Sequence, residues 1–266
     1  MGSTDPGTDS VASDAGTTGD GVDRVVSLAP SATTTLSAMG AEDCLVGVTT
    51  HCDVDREPLG GWLNPDYDRL AELHPDLVCT ADRLQRDVRD ELVARGYDVC
   101  HVEPDDLAGV VGSFATLGRA IGRAEAASRL VEETRERLAA VHERAGADPT
   151  DVCPVVYCEE WGDPPMAAGN WVPEAVELAG GRYPFCDAGE RSREVSHAEI
   201  ADADPDHVVV HHCGHGDRAD PDILTARGWD LDAAVHVVDD DLLNQPSPRL
   251  IDGIERLAEL FRGRET

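Results

Sequence analysis

From residue 24 onward, short apolar runs alternate with longer stretches in which apolar residues recur every three or four positions. The runs over 24–28, 45–48, 76–80 and 98–102 have the length and composition of buried strands, and 32–40, 66–73 and 84–95 between them have helical spacing. Such alternation predicts a parallel sheet with helical crossovers. The next segment, 107–145, is helical in pattern throughout and interrupted only around 118–122, with Leu130, Thr134, Leu138 and Val141 on one face. Its second part, 124–145, would run for about 33 Å as a stiff rod. After a break at 146–149 the alternation resumes, with strands expected over 152–158, 207–212 and 235–238 and helices over 171–179, 196–202 and 247–262. The organisation expected is therefore an α/β lobe over 24–106, a linking backbone helix over 107–146, a second α/β lobe over 150–247 and a C-terminal helix over 248–262. Residues 1–23, mostly Gly, Ser, Thr and Asp, have almost nothing to bury and are expected to be a disordered acidic tail.

In open α/β sheets ligands collect at the carboxyl ends of the strands, so the loops after each apolar run are where chemistry is sought. The first run, with Val25, Val26 and Leu28, stops at Pro30, and Ser31 or Thr33 would cap the helix that follows. Three further loops stand out: 49–53 with Trp62 nearby, 159–171, and 211–216. The segment 159–171 holds Trp161, Met166 and Trp171, half of the chain's four Trp, and predicts a flat apolar face for a ligand, with a Trp packed between lobes as the alternative. In the last loop His211, Cys213 and His215 are candidate metal ligands. Strand alternation sets His211 and His212 on opposite faces, leaves His211 and Cys213 on one side and His215 free on the turn, so polar residues at a pocket mouth are the competing expectation. His51 and Cys52 would complete a metal site only by closure of a cleft.

Charge narrows the partners. The chain carries 53 acidic and 22 basic residues, a net charge of −31, and every basic residue is Arg. A surface this acidic repels phosphate backbones and anionic lipid, so nucleic acid and membrane surfaces are poor partners, and the bias matches proteins kept soluble in salt-loaded cytoplasm, as in halophiles. Without Lys there is no P-loop lysine, Schiff base or Ser-Lys pair, and G-x-S-x-G, H-E-x-x-H and complete G-x-G-x-x-G motifs are also missing. The 8 Cys show no C-x-x-C spacing and read as free thiols of a reducing compartment. No secretory signal, lipid-anchor Cys or membrane-spanning run is evident, so a cytoplasmic protein is expected, or an extracytoplasmic one if the start is truncated.

The order VVSLAPSAT, LVGVTTHCD, Trp62, LAELHPDLV, a long helical strut, YCEEWGDPPMAAGNWVPEAVELAGG, REVSHAEIADADPDHVVV and QPSPRLIDGIERLAEL resembles the vitamin B12-binding, helical-backbone metal receptor family, which is similar to class III periplasmic binding proteins. The likeness covers nearly everything after residue 23 and is nearest to the branch without export signals, through the E-W-x-D-P segment at 160–164 and G-x-W-V-P-E and A-G-G within 169–181. It implies two Rossmann-like lobes, each with a central mostly parallel sheet, bridged by a long backbone α-helix. The implied function is binding without catalysis: a corrinoid or other metal-chelate held in the inter-lobe cleft as ligand, with no cofactor required, by a monomer linked to ABC transport or corrinoid salvage. Carried over by motif, the ligand-facing residues are Pro30, Ser31, His51, Cys52 and Trp62 in the first lobe and Trp161, Trp171, Cys213, Gly214, Asn244 and Gln245 in the second. Two departures stand out: His212-Cys213-Gly214-His215 replaces Pro-Cys-Gly-Phe, adding candidate axial ligands, and Asn244-Gln245 replaces a Ser-Arg pair, removing a positive charge. In exported relatives one acid on each lobe engages an ABC permease, and Asp68 and Glu199 occupy comparable places. The alternatives are a metal-tetrapyrrole enzyme of chelatase type using His211, His215 or Glu160, and a free transition-metal binder.

Overall fold

A computed structural model of the chain describes residues 22–146 and 153–262. The tail expected over 1–23 lies outside the described residues except for its last two positions, as does most of the break before the second lobe. The first sheet contains β1 (Val25–Ser27), β2 (Leu45–Val48), β3 (Glu57–Pro58), β4 (Leu77–Ala81) and β5 (Val99–Val102), all parallel, in the order β3-β2-β1-β4-β5. Alternation along β1 explains its unbroken apolar run. Val25 joins the main core, while Val26 and Leu28 enter a second cluster with Leu59, Leu70, Val78, Val88 and Leu92 on the other face. The two-residue β3 was not anticipated, and its Pro58 is tolerated because the strand lies at the sheet edge.

Helices α1 (Pro30–Ala38), α2 (Tyr67–Glu72) and α3 (Arg86–Ala94) make the crossovers. α1 opens at Pro30 itself, two positions before the expected start, because Pro suits the first turn, where its missing N–H costs nothing. The expected cap is not made: Ala29 precedes the helix and no side chain caps it. Thr33 Oγ1 instead lies 2.8 Å from Ser27 Oγ and 3.2 Å from the Ala29 carbonyl, and Thr35 Oγ1 donates to the Ser31 carbonyl at 2.8 Å. Back-bonding of this kind satisfies the hydroxyls of a helix buried against its sheet.

The long helical stretch divides into α4 (Leu107–Ala120) and α5 (Ala124–Ala145). The side chain of Asp106 caps α4 by accepting from Gly109 N–H at 2.6 Å. Gly118 permits the joint, since a Cβ there would overlap the Cβ of Ala127. On α5, Ala127, Thr134 and Val141 are buried, and Leu130 and Leu138 pack partly buried against the same core.

The second sheet contains β6 (Val156–Gly162), β7 (Pro165–Ala167), β8 (Arg193–Glu194), β9 (His207–Val210) and β10 (Ala234–Val237), in the order β10-β9-β6-β7-β8. β6, β9 and β10 are parallel; β7 and β8 are antiparallel additions. Part of the loop expected over 159–171 is thus a hairpin: β6 continues to Gly162 and returns at Pro165 through the Asp163-Pro164 turn. Around the sheet lie α6 (Val172–Leu178), α7 (His197–Ala203), the short α8 (Ile223–Ala226) and α9 (Arg249–Arg262). Arg137 of α5 pairs with Asp252 at 2.6 Å and Glu255 at 2.7 Å on α9. Buried apolar residues of both sheets, α4, α5 and α9 form one continuous cluster, so the two lobes share a core. No helix among the described residues is long and apolar enough to cross a membrane.

Candidate functional site

In the first sheet the order places β1 between β2 and β4, the point where chain progression reverses, and the crevice beyond their carboxyl ends is the expected ligand position. Cys52 is held there by Thr33 Oγ1 at 3.2 Å and Thr49 Oγ1 at 3.3 Å from its Sγ, so the start of α1 and the loop after β2 are joined through one thiol. Pro30 and Ser31 form the first turn of α1, and His51 is exposed beside Cys52. A residue that sequence reasoning missed organises this end. Fully buried Gln85 donates to the carbonyls of Leu28 and Trp62, both at 2.7 Å, and accepts from Ala81 N–H at 2.8 Å. It ties the ends of β1 and β4 to the segment that carries half-buried Trp62.

In the second sheet β6 occupies the equivalent place, and its last residues alternate between two environments. Glu160 accepts from Ser192 Oγ and lines a recess of about 20 Å³ with Asn170, Trp171 and Asn244. Burial raises its carboxyl above the usual range, and Asp82, at the end of β4, pushes the same way. Asp241, beyond β10, is also raised by burial, with Asp53 of the first lobe among the carboxylates that add to it. The strand-end loops of the two lobes therefore lie within electrostatic reach of each other.

Glu159 faces the other way and is fully buried. It accepts from Arg227 at 2.7 and 3.0 Å, His212 Nε2 at 2.8 Å and Tyr157 Oη at 3.0 Å. Burial alone would raise this carboxyl, but hydrogen bonds from His212, Arg227 and Tyr157 outweigh it and hold the group below its ordinary range. The signal available in sequence was a Glu inside a strand buried on both faces, which demands a partner. Nothing local indicated Arg227, 68 positions away.

The two Trp of 159–171 do not form one flat face. Trp171 is 5% exposed, precedes α6, and donates its Nε1–H to the Leu243 carbonyl at 2.7 Å. Trp161, on the free end of the hairpin, is 44% exposed and donates to the Asp163 carbonyl at 3.0 Å. With Asp163, His212, His215, Ile223 and Arg227 it lines a cavity of about 480 Å³. The hairpin separates the rings, because it projects 161 outward while the chain returning through β7 carries 171 into the core.

The proposed metal ligands are likewise dispersed. His211 Nδ1 donates to Asn244 Oδ1 at 2.5 Å, Asn244 Nδ2 donates back to the His211 carbonyl at 3.1 Å, and His211 Nε2 is buried without a partner. His215 Nδ1 turns onto the Cys213 carbonyl at 3.1 Å. Among the described residues only Asp239, Asp240 and Asp241 bring three ligand atoms within 4.8 Å of one another, so His211, Cys213 and His215 do not converge as a metal site. Asp240 accepts from Gly214 and Gly216 N–H at 2.7 and 2.6 Å and shapes the loop that exposes Cys213. Gln245 Nε2 donates to Asp241, and its Oε1 is buried without a partner. Of the two surface acids, Asp68 is exposed in the first turn of α2, whereas Glu199 is paired with Arg193.

Residues 25–236 match the family model described as periplasmic binding protein. The chain is 30% identical over 257 residues to a cobalamin-binding protein of Halobacterium salinarum, covering 90% of this chain and 69% of that one. It is 25% identical over 249 residues to a vitamin B12-binding protein of Yersinia pestis, covering 89% and 85%. Among solved structures, a periplasmic heme-binding protein from Pseudomonas aeruginosa superposes with a TM-score of 0.79 at 23% identity, covering 92% of this chain and 94% of that one. The periplasmic vitamin B12-binding protein of Vibrio cholerae gives a TM-score of 0.72 at 20% identity, covering 90% and 96%. With two sheets of matching strand order that share a core, and a family match over most of its length, the chain belongs to the periplasmic binding protein family of substrate-binding proteins.

Proposed function

We propose that the chain holds a corrinoid, a cobalamin-like metal-chelate, between the strand-end loops of its two lobes and passes it to an ABC permease or a salvage step. The observation that carries this reading is the pair of strand-end crevices, one beyond β1 and its neighbours and one beyond β6, on two sheets of matching strand order whose lobes share a core. The ligand class is supported by the names of the Halobacterium and Yersinia relatives. Shared core packing and the α5 strut favour a modest closing movement over a wide hinge. The free-metal alternative loses support because His211, Cys213 and His215 do not bring their ligand atoms together within 4.8 Å. Calorimetric titration of the protein in high salt with cyanocobalamin is expected to give saturable one-to-one binding. No heat and no change in the corrin absorption bands would sink the proposal.

A further inference from the structure

The 480 Å³ cavity lies one residue along the chain from the cleft, on the opposite side of the β6 and β9 strand ends. Glu160 and Asn244, to which His211 is bonded, line the recess on the cleft side, whereas Trp161, His212 and His215 line the cavity. Its walls are held in place before any ligand arrives. Arg227 spans Glu159 and the Gly162 carbonyl, His212 is fixed on Glu159, Trp161 is anchored on the Asp163 carbonyl, and His215 is anchored on the Cys213 carbonyl. Preformed walls lower the ordering cost of binding.

The chemistry offered is specific. Trp161 presents an exposed indole face, and Ile223 adds apolar surface. Because His215 Nδ1 donates to a carbonyl, its Nε2 is an acceptor, and the exposed Asp163 carboxylate supplies further acceptors. Arg227 is the cationic lining group, and its two terminal nitrogens are already committed to Glu159 and Gly162. A phosphate therefore finds little to hold it here. A planar heteroaromatic ring would stack on the indole, and sugar hydroxyls would donate to a carboxylate, the way ribose is held at dinucleotide sites. The volume lies within the range of small-ligand pockets.

We infer that this cavity binds a nucleoside group, a planar nitrogen base stacked on Trp161 with its sugar hydroxyls donating to Asp163 and His215. Resting on the corrinoid reading, the source we favour is the nucleotide arm of a complete corrinoid, whose ring system occupies the cleft next door. A free nucleoside has the same chemistry, so the test separates the two.

Calorimetric titrations in high salt compare wild type, Trp161→Ala and Trp161→Phe with three probes: cyanocobalamin, dicyanocobinamide (which lacks the nucleotide) and adenosine. The expected result is that wild type prefers cyanocobalamin to cobinamide, Trp161→Ala weakens cyanocobalamin about tenfold or more with cobinamide unchanged, and Trp161→Phe recovers most of the loss. Adenosine binding that Trp161→Ala abolishes, without discrimination between the corrinoids, upholds the cavity's chemistry and assigns it a free nucleoside. If corrinoids fail to bind wild type but adenosine succeeds, the proposed function falls and the cavity stands. Equal weakening of both corrinoids by Trp161→Ala, no effect on either with adenosine also silent, or no binding of any probe overturns the inference. The circular dichroism spectrum of Trp161→Ala checks its fold, which the exposure of this ring should leave intact.

Discussion

His211 shows how one residue at a strand end couples the site to pH. Burial holds its imidazole down to about 4, against the favourable effect of the hydrogen bond to Asn244. An unfolded chain titrates this group near 6.5, so the folded state binds its proton less readily. His211 therefore favours the fold fully above about pH 6.5 and withdraws that support as pH falls towards 4, a difference of about 3 kcal/mol. Glu160, raised by burial, acts in the opposite direction and gains stability on acidification. A comparison with His211→Asn isolates the His211 contribution. The gap in urea-unfolding free energy between wild type and variant should narrow by a few kcal/mol between about pH 7 and about pH 4. A gap independent of pH would show that His211 is not buried neutral. At this scale sequence alternation set His211 and His212 on opposite sides of the chain, and just past the end of β9 they do turn to different partners. It did not indicate that Asn244 and Glu159 would claim their ring nitrogens, because both partners are brought in by other segments of the fold.

At the scale of elements, the joint between α4 and α5 determines how the strut leaves the first lobe. Gly118 faces Ala127 with no room for a methyl group, while Gly112, in the same helix, has open space where its Cβ would be. Gly118→Ala should overpack the joint and cost about 1–3 kcal/mol. Gly112→Ala should stabilise by about 0.5–1 kcal/mol, since Ala is the better helix former. Thermal unfolding midpoints should move in opposite directions, and a shared direction would contradict the packing described. The helical face of Leu130, Thr134, Leu138 and Val141 was legible from period alone, since a helix must bury its apolar stripe. The β6–β7 hairpin was not, because a turn as short as Asp163-Pro164 inside a Gly- and Pro-rich stretch carries no periodic signal.

For the molecule as a whole, charge sets the conditions under which everything else operates. A net charge of −31 on 266 residues penalises the compact state by self-repulsion, and added salt relieves it as the screening length falls from about 10 Å at 0.1 M to about 3 Å at 1 M. The thermal midpoint should therefore rise steadily with KCl across that range, and a flat response would remove the argument. Sequence by itself determined the two α/β halves, the helical rod between them and the acidic surface, because each follows from local period or from composition, which need no knowledge of distant contacts. It also marked the strand-end loops as the place for a ligand. Only the tertiary structure decided which side chains meet there. Glu159 finds Arg227, Trp171 turns into the core and onto Leu243 while Trp161 faces a cavity, and His211 is claimed by Asn244. These outcomes depend on contacts between segments tens of residues apart, where the desolvation of each polar group is settled by whichever partner the fold delivers.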